Sequence, residues 1–234
     1  MYILNSKIES FYLDKEICGD YPPMFYETPT KAHKILSLGL NPSLTDTFKD
    51  VFKKRKLTLL DIQKSKNTER EKKIEALIDY QAELKFGLNE IKPIQYFNHL
   101  ANFFSQFKKK GYNDFKENVY HYDLCQIRNT DSKKVISKLK DEALLFEALC
   151  QLEFVINELN PEIIFVFNAA VSKLLKEQQL FFKNQKIDEL DGCYYYKNIP
   201  VILANQLSGG ATSTVYKEIL IWNANRIINH KKKW

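Results

Sequence analysis

The sequence predicts an α/β fold, specifically a three-layer α/β/α sandwich around a central parallel sheet of four strands. Four short, nearly continuous apolar segments recur along the chain, as is typical of strands buried on both faces of a sheet. Helical patterns separate these segments, and such alternation implies parallel strands joined by right-handed crossovers. With 234 residues and 44% hydrophobic content, the chain can bury a substantial core. We therefore predict one domain over residues 1–234.

The four predicted strands are apolar runs bounded by turn-forming residues. They cover residues 34–40, 118–123, 162–167 and 200–204. Between the first two, apolar residues recur every three or four positions from Ile94 to Phe107, which predicts a helix opened by Pro93. Apolar periodicity predicts three further helices, at residues 141–159, 169–180 and 215–228.

Residues 47–88 do not fit the alternation of strands and helices. This segment is highly charged, with the basic run KKRK at 53–56, and it has a helical pattern from Glu69 to Leu84. We interpret it as an insertion with its own helix, placed beside the functional site rather than in the sheet.

Composition narrows the functional classes. Lys and Arg outnumber Asp and Glu by 35 to 29, and the formal charge of +6 favours a polyanionic partner such as DNA. No apolar run approaches the roughly 18 residues of a membrane span, so we expect a cytoplasmic protein. We also expect a monomer. The cysteines form no CxxC pair, which argues against zinc or iron–sulfur ligation; we expect neither metal nor organic cofactor. They are Cys18, Cys125, Cys150 and Cys193.

Two loops that follow predicted strands are the first candidates for a site, because ligands of α/β sheets bind beyond the carboxyl ends of the strands. The first loop is GLNPSLT at 39–45, where Pro42 fixes the turn and holds Asn41 at the strand exit. The other is NQLSGGAT at 205–212, which leads into a helix whose first amides could hold a phosphate. Taken alone, either loop is more typical of an ordinary turn than of a site.

Taken in order, these motifs resemble one enzyme family. GLNPSLT resembles the GINPG-type motif of the mismatch-specific, thymine/uracil branch of the uracil-DNA glycosylase superfamily, and QLSGGAT at 206–212 resembles the NPSGLS loop of that branch. KPIQYF at 92–97 and NPEIIFVFNAAVSKLL at 160–175 resemble its intervening segments. The resemblance covers about two thirds of the chain and leaves the first 30 residues and the insertion unexplained.

The resemblance implies a DNA glycosylase that extrudes a base and lets water attack the sugar C1′ carbon. Asn41 would hold that water through its amide oxygen, and Gln206 would donate an N–H to the departing base. The motif departs from the family at Gln206-Leu207-Ser208, where most members have His-Pro-Ser and the mismatch branch has Asn-Pro-Ser. A histidine electrophile is therefore missing. The other interpretation of Asn41 is a turn residue that binds its own backbone.

The base pocket implied by the resemblance lies around the first strand exit. Asp123, at the end of the second strand, would read the base edge; its carboxylate only accepts hydrogen bonds and therefore favours the amino group of a cytosine over uracil. The alternative role for Asp123 is a cap near Arg128. An aromatic side chain would stack on the base. The pocket residues are Gly39, Leu40, Pro42, Asp123, Phe86 and Tyr96.

The predicted DNA contacts are small polar residues of the two loops and two lysines of the insertion. They are Ser43, Ser208, Gly209, Gly210, Thr212, Lys53 and Lys54. We expect the two loops to line one cleft at the carboxyl ends of neighbouring strands.

Two functions stay open. One is a monofunctional glycosylase that acts on uracil, a mispaired pyrimidine or a modified cytosine, in repair or in defence against phage DNA. The other is a catalytically weak protein that binds nucleic acid. Neither GxGxxG nor GxxxxGK occurs, which argues against an unrelated nucleotide-binding protein.

Overall fold

A computed structural model describes most of the chain and confirms the α/β fold class. The described residues are 2–13, 17–89, 92–177, 194–204, 207 and 213–230. The chain is grouped into two compact units, each built from three segments. The first unit comprises Met1–Thr28, Leu40–Ile91 and Asp123–Val155, and the second comprises Pro29–Gly39, Lys92–Tyr122 and Ile156–Trp234.

The described elements follow the predicted alternation. The strands are β1 (Ile35–Gly39), β2 (Val119–Asp123), β3 (Ile163–Phe167), β4 (Tyr194–Tyr196) and β5 (Ile199–Ala204). The helices are α1 (Ile3–Ile8), α2 (Asp46–Lys54), α3 (Leu59–Lys64), α4 (Asn67–Phe86), α5 (Gln95–Phe104), α6 (Phe115–Asn118), α7 (Ser132–Lys138), α8 (Glu142–Leu159), α9 (Ala169–Glu177) and α10 (Thr214–His230). A π-helical segment, Glu9–Leu13, continues α1.

The sheet has the strand order β2-β1-β3-β5-β4, and its pairing confirms the predicted parallel strands. β1 pairs in parallel with β3, and β3 pairs in parallel with β5. The Lys34 N–H donates to the Asn118 carbonyl beside the start of β1 and β2, and the Cys125 N–H donates to the Leu40 carbonyl just after both strands. Because starts and ends are matched, β2 also runs parallel to β1.

Two sequence expectations about the sheet are wrong. Over the described residues the sheet has five strands rather than four, because β4 pairs with β5 in an antiparallel hairpin. The three residues of β4 are too few for an alternating pattern to stand out, and the turn uses Lys197 at a φ of 54° instead of a glycine. In addition, β1 and β5 are not neighbours, since β3 lies between them.

Three strands of the sheet are buried on both faces, as a three-layer arrangement requires. Every residue of β1, β2 and β3 is buried. On one face, Phe103 of α5 contacts Phe165 and Phe167 of β3, with ring centroids 5.7 and 5.2 Å apart. The predicted helix ends earlier than its apolar pattern, because Phe107 is buried but lies beyond α5.

The insertion is mostly helical but contains α2, α3 and α4, joined by short turns, rather than the one predicted helix. Thr45 caps α2 and Thr58 caps α3 through their hydroxyl groups. Phe48 and Phe52 of α2 contact Tyr80 of α4 edge to face, which joins these helices through aromatic rings. Among the helices of the described residues, none is both long and apolar enough to cross a bilayer.

Candidate active site after the first strand

The loop that leaves β1 begins the candidate site in the first unit. Leu40 and Pro42 are buried, whereas Asn41 is half-buried and Ser43 is exposed. The Pro42 carbonyl accepts a hydrogen bond from the Asn129 N–H at 3.1 Å. The loop after β1 is thus fixed against the loop after β2 by two backbone hydrogen bonds, one at Leu40 and one at Pro42. Asn41 lies between these two residues.

The side chain of Asn41 is oriented by three backbone carbonyls. Its amide nitrogen donates to the carbonyl oxygens of Asn129 at 2.7 Å, Pro42 at 3.0 Å and Ile127 at 3.4 Å. A carbonyl can only accept, so the NH₂ group must face these partners, and the assignment of amide nitrogen and oxygen has one solution. The turn interpretation is therefore incomplete, since two of these carbonyls belong to the distant loop after β2.

The amide oxygen of Asn41 accepts no hydrogen bond from the residues that the structure describes. Asn41 is half-buried and its NH₂ group is held in place, so its oxygen can accept a hydrogen bond from a water or a ligand without losing another partner. Because the side chain is already ordered, little rotamer entropy is lost on binding. This arrangement suits a group that positions a neutral hydrogen-bond donor.

The loop after β2 is buried and held by hydrogen bonds from the N-terminal segment. The Tyr26 hydroxyl accepts from the Asp123 N–H at 3.1 Å and donates to the Gln126 amide oxygen at 2.6 Å. Gln126 in turn donates its amide N–H to the Asp123 carbonyl at 2.6 Å. Asn5 binds the backbone of Tyr26 through both amide atoms. The first 30 residues, which the sequence left unexplained, thus fix this loop.

Arg128 anchors the same loop to the insertion. Its guanidinium lies 5.1 Å from the ring centroid of Phe52, donates to the Gln81 amide oxygen, and donates at 3.0 Å to the Pro22 carbonyl. Burial lowers the pKa of Arg128 to about 10, so it remains charged at neutral pH. Since Arg128 stands between Ile127 and Asn129, this anchoring fixes two of the carbonyls that orient Asn41.

Asp123 is buried among charged groups. It is 5% exposed, and its carboxylate interacts electrostatically with Arg128 and with Lys85 of α4. Burial lowers the pKa of Lys85, while Glu27, whose carboxylate oxygen lies 3.6 Å from the Lys85 ammonium, opposes this shift. This environment favours the structural role of Asp123 near Arg128, which the sequence offered as the alternative to base reading.

A comparison with protein-family models and with curated proteins finds no match.

The two aromatic stacking candidates lie in different units. Phe86 ends α4 in the first unit, where the Lys85 ammonium lies 4.8 Å from its ring centroid. Tyr96 belongs to α5 in the second unit and contacts His121 and Phe97, with ring centroids 5.5 and 5.4 Å apart. Both rings are half-buried, so neither is presented as an open platform.

The remaining predicted residues divide by position. Gly39 is the last residue of β1 in the second unit, whereas Lys53 and Lys54 are exposed at the end of α2 in the first. The predicted contacts of the second loop lie outside the described residues, so the structure gives no geometry for them: Gln206, Ser208, Gly209, Gly210 and Thr212. Within the described ranges no three His, Cys, Asp or Glu side chains form a group suited to a metal ion.

Sequence reasoning missed the residues that support Asn41. Tyr26, Gln126 and Arg128 are long polar side chains that become buried only through the tertiary fold. The available signal was weak: Arg128 follows the largely apolar stretch 124–127 just beyond the predicted strand, and a charged residue is rarely buried unless it is paired.

Proposed function

We propose that the protein is a monofunctional DNA glycosylase that hydrolyses the N-glycosidic bond of an extruded pyrimidine. The single observation that supports this most is the orientation of Asn41, whose amide oxygen is available at the carboxyl end of β1 while its nitrogen is held by three carbonyls. The motif resemblance supplies the reaction, and this geometry is what the reaction requires of the motif asparagine.

In the proposed reaction, the Asn41 oxygen accepts a hydrogen bond from the attacking water and directs the water oxygen at C1′. A neutral amide removes a proton poorly, so water attack follows departure of the base and depends on stabilisation of the base as an anion. Backbone N–H groups of the two loops are the candidate donors, with Gln206 as the side chain proposed to bind a base carbonyl. Positioning by one preorganised group typically contributes about 100-fold or more to the rate.

The choice of target base depends on the role of Asp123. If Asp123 faced the base, its carboxylate would favour a cytosine-type base, but its interaction with Lys85 and Arg128 supports a structural role. If Asp123 is structural, backbone N–H donors would read the base edge, and uracil or a mispaired thymine would be accepted. The proposed substrate class is therefore a pyrimidine, with the choice among pyrimidines decided by experiment.

The test uses duplexes that each carry one altered base: uracil opposite guanine or adenine, thymine opposite guanine, and cytosine modified at carbon 5. After incubation, alkali cleaves any abasic site and gel electrophoresis locates it, while mass spectrometry identifies the released base. We expect cleavage of at least one duplex at the altered position. Asn41→Ala purified in the same way controls for contaminating glycosylases, since a contaminant would be equally active in both preparations.

A second candidate function is nucleic-acid binding without excision. Gln206-Leu207 in place of the family's His-Pro or Asn-Pro favours it, because the usual electrophile is absent. The same panel separates the two: retention of duplexes without abasic sites or released base, at any enzyme excess, supports the binding protein and contradicts the glycosylase.

A further inference from the structure

Helix α10 carries exposed apolar side chains that the glycosylase proposal does not use. Val215, Ile219 and Trp222 follow one another at spacings of four and three residues, which places them on one face of the helix. Their exposed fractions are 64%, 48% and 61%. An apolar surface of this extent is more often an interaction site than an ordinary solvated face.

A cation lies on the aromatic residue of this face. The Arg226 guanidinium carbon is 5.0 Å from the Trp222 ring centroid, one helical turn further along. A guanidinium at this distance from an indole is attracted by the ring and is held beside it. The pair therefore offers a flat aromatic surface and a positive charge in one place.

A basic loop is held against the same helix at Asn225, three residues beyond Trp222. The Lys108 N–H donates to the Asn225 side chain at 3.2 Å, and the Lys109 ammonium donates to the Ile228 carbonyl at 3.3 Å. These bonds fix the run Lys108–Lys110, in which Lys108 and Lys110 are exposed, against the C-terminal half of α10. Glu218 is the single acidic residue in the sequence of α10, so the cations outnumber the carboxylate along this helix and its border.

We propose that this face of α10, with the adjoining Lys108–Lys110 run, binds single-stranded nucleic acid, with a base stacked on Trp222 and phosphates near the lysines and Arg226. An exposed aromatic ring with flanking cations is the combination by which proteins bind single strands, because every unpaired base has a free π-face. In a duplex these faces are already stacked. A second copy of the chain is disfavoured as the occupant, since two such faces would bring like charges together.

Fluorescence anisotropy with a labelled oligothymidylate of about 12 nucleotides tests the proposal on the full chain. We expect the logarithm of the association constant to fall linearly with the logarithm of the salt concentration. Trp222→Ala should weaken it about tenfold, Trp222→Phe should retain most of it, and Glu218→Gln should strengthen it. In a Trp234→Phe background, tryptophan fluorescence should be quenched on binding. Ile219→Ala removes exposed apolar area from the face without removing a stacking surface, and should weaken binding less than Trp222→Ala. The matched control is Phe146→Ala, which removes a similarly exposed aromatic ring from α8, outside the proposed surface, and should leave the affinity unchanged.

Each outcome decides the question separately from base excision. Absence of binding, or equal affinity of the chain and Trp222→Ala, overturns the proposal. Equal loss in Ile219→Ala and Trp222→Ala, with concentration-dependent dimers in sedimentation, also overturns it in favour of a second copy. Oligothymidylate binding that depends on Trp222 supports the proposed binding surface, whether or not an altered base is excised. A lack of excision contradicts only the glycosylase proposal.

Discussion

The chemistry proposed for Asn41 depends on the direction of its side-chain amide, which backbone carbonyls of another loop determine. The position of Asn41 at a strand exit could be predicted from GLNPSLT, because the proline and the preceding apolar run define where the strand ends. The direction of its amide could not be predicted, since the carbonyls of Ile127 and Asn129 come from a loop more than 80 residues away. The amide orientation depends on a tertiary contact that no local pattern encodes.

Replacement of Asp123 tests whether its carboxylate is structural. In Asp123→Asn, the buried cations Lys85 and Arg128 lose a compensating charge, and we expect a loss of about 1–3 kcal/mol in the free energy of unfolding. Urea denaturation monitored by circular dichroism measures it. Asp50→Asn, at an exposed position of α2, is the control and should change stability little. An unchanged Asp123→Asn midpoint, together with a shift of excision toward uracil, would instead support base reading.

At the scale of elements, the caps of the insertion were recoverable in principle from the sequence. Thr58 and Asp61 form a reciprocal capping box at the start of α3, and the T-x-x-D spacing is the usual signature of such a box. The Thr58 hydroxyl donates to the Asp61 carboxylate at 2.6 Å, and this hydrogen bond lowers the pKa of Asp61. The single-helix prediction failed because the charged surface of α2 and α3 obscures their short apolar faces.

The lowered pKa of Asp61 predicts a pH-dependent stability. A carboxyl with a lowered pKa in the folded state stabilises the fold above its unfolded pKa, about 4, and loses this contribution as the pH falls through the folded value. We expect Asp61→Asn to be less stable than the unmodified chain at pH 7. This difference in stability should shrink as the pH falls below about 4. Thermal denaturation across this range measures it. Asp79→Asn, exposed on α4, should show no such convergence.

For the whole molecule, the parallel strands and main helices were predictable because apolar runs and helical periods are local signals. The hairpin strand β4 was not, because it has only three residues and its turn contains no glycine. The role of the N-terminal segment was not, because it depends on hydrogen bonds to residues far away in the sequence. The same holds for the candidate site. The loop after β1 could be predicted from its local sequence, whereas the buried residues that hold it could not. The second loop lies outside the described residues, so its predicted role stays a prediction.

Thiol reactivity reports on the folding of the first unit. Burial raises the pKa of Cys18 to about 12 and that of Cys125 to about 11, so both thiols are protonated as well as inaccessible at pH 8. Cys150 is exposed on α8. In a Cys193→Ser background, iodoacetamide should label Cys150 rapidly and the other two only in denaturant, as read by peptide mass spectrometry. Rapid native labelling of Cys125 would contradict its burial, and Cys150→Ser should abolish the fast phase.

The most direct test of the central claim is the single-turnover excision rate of Asn41→Ala on the duplex that the unmodified protein cleaves best, with duplex affinity measured in parallel. The account predicts a rate lowered about 100-fold or more with nearly unchanged affinity, because the amide positions water and not DNA. Asn102→Ala, at an exposed position of α5, should retain the full rate. An unchanged excision rate in Asn41→Ala would contradict the account.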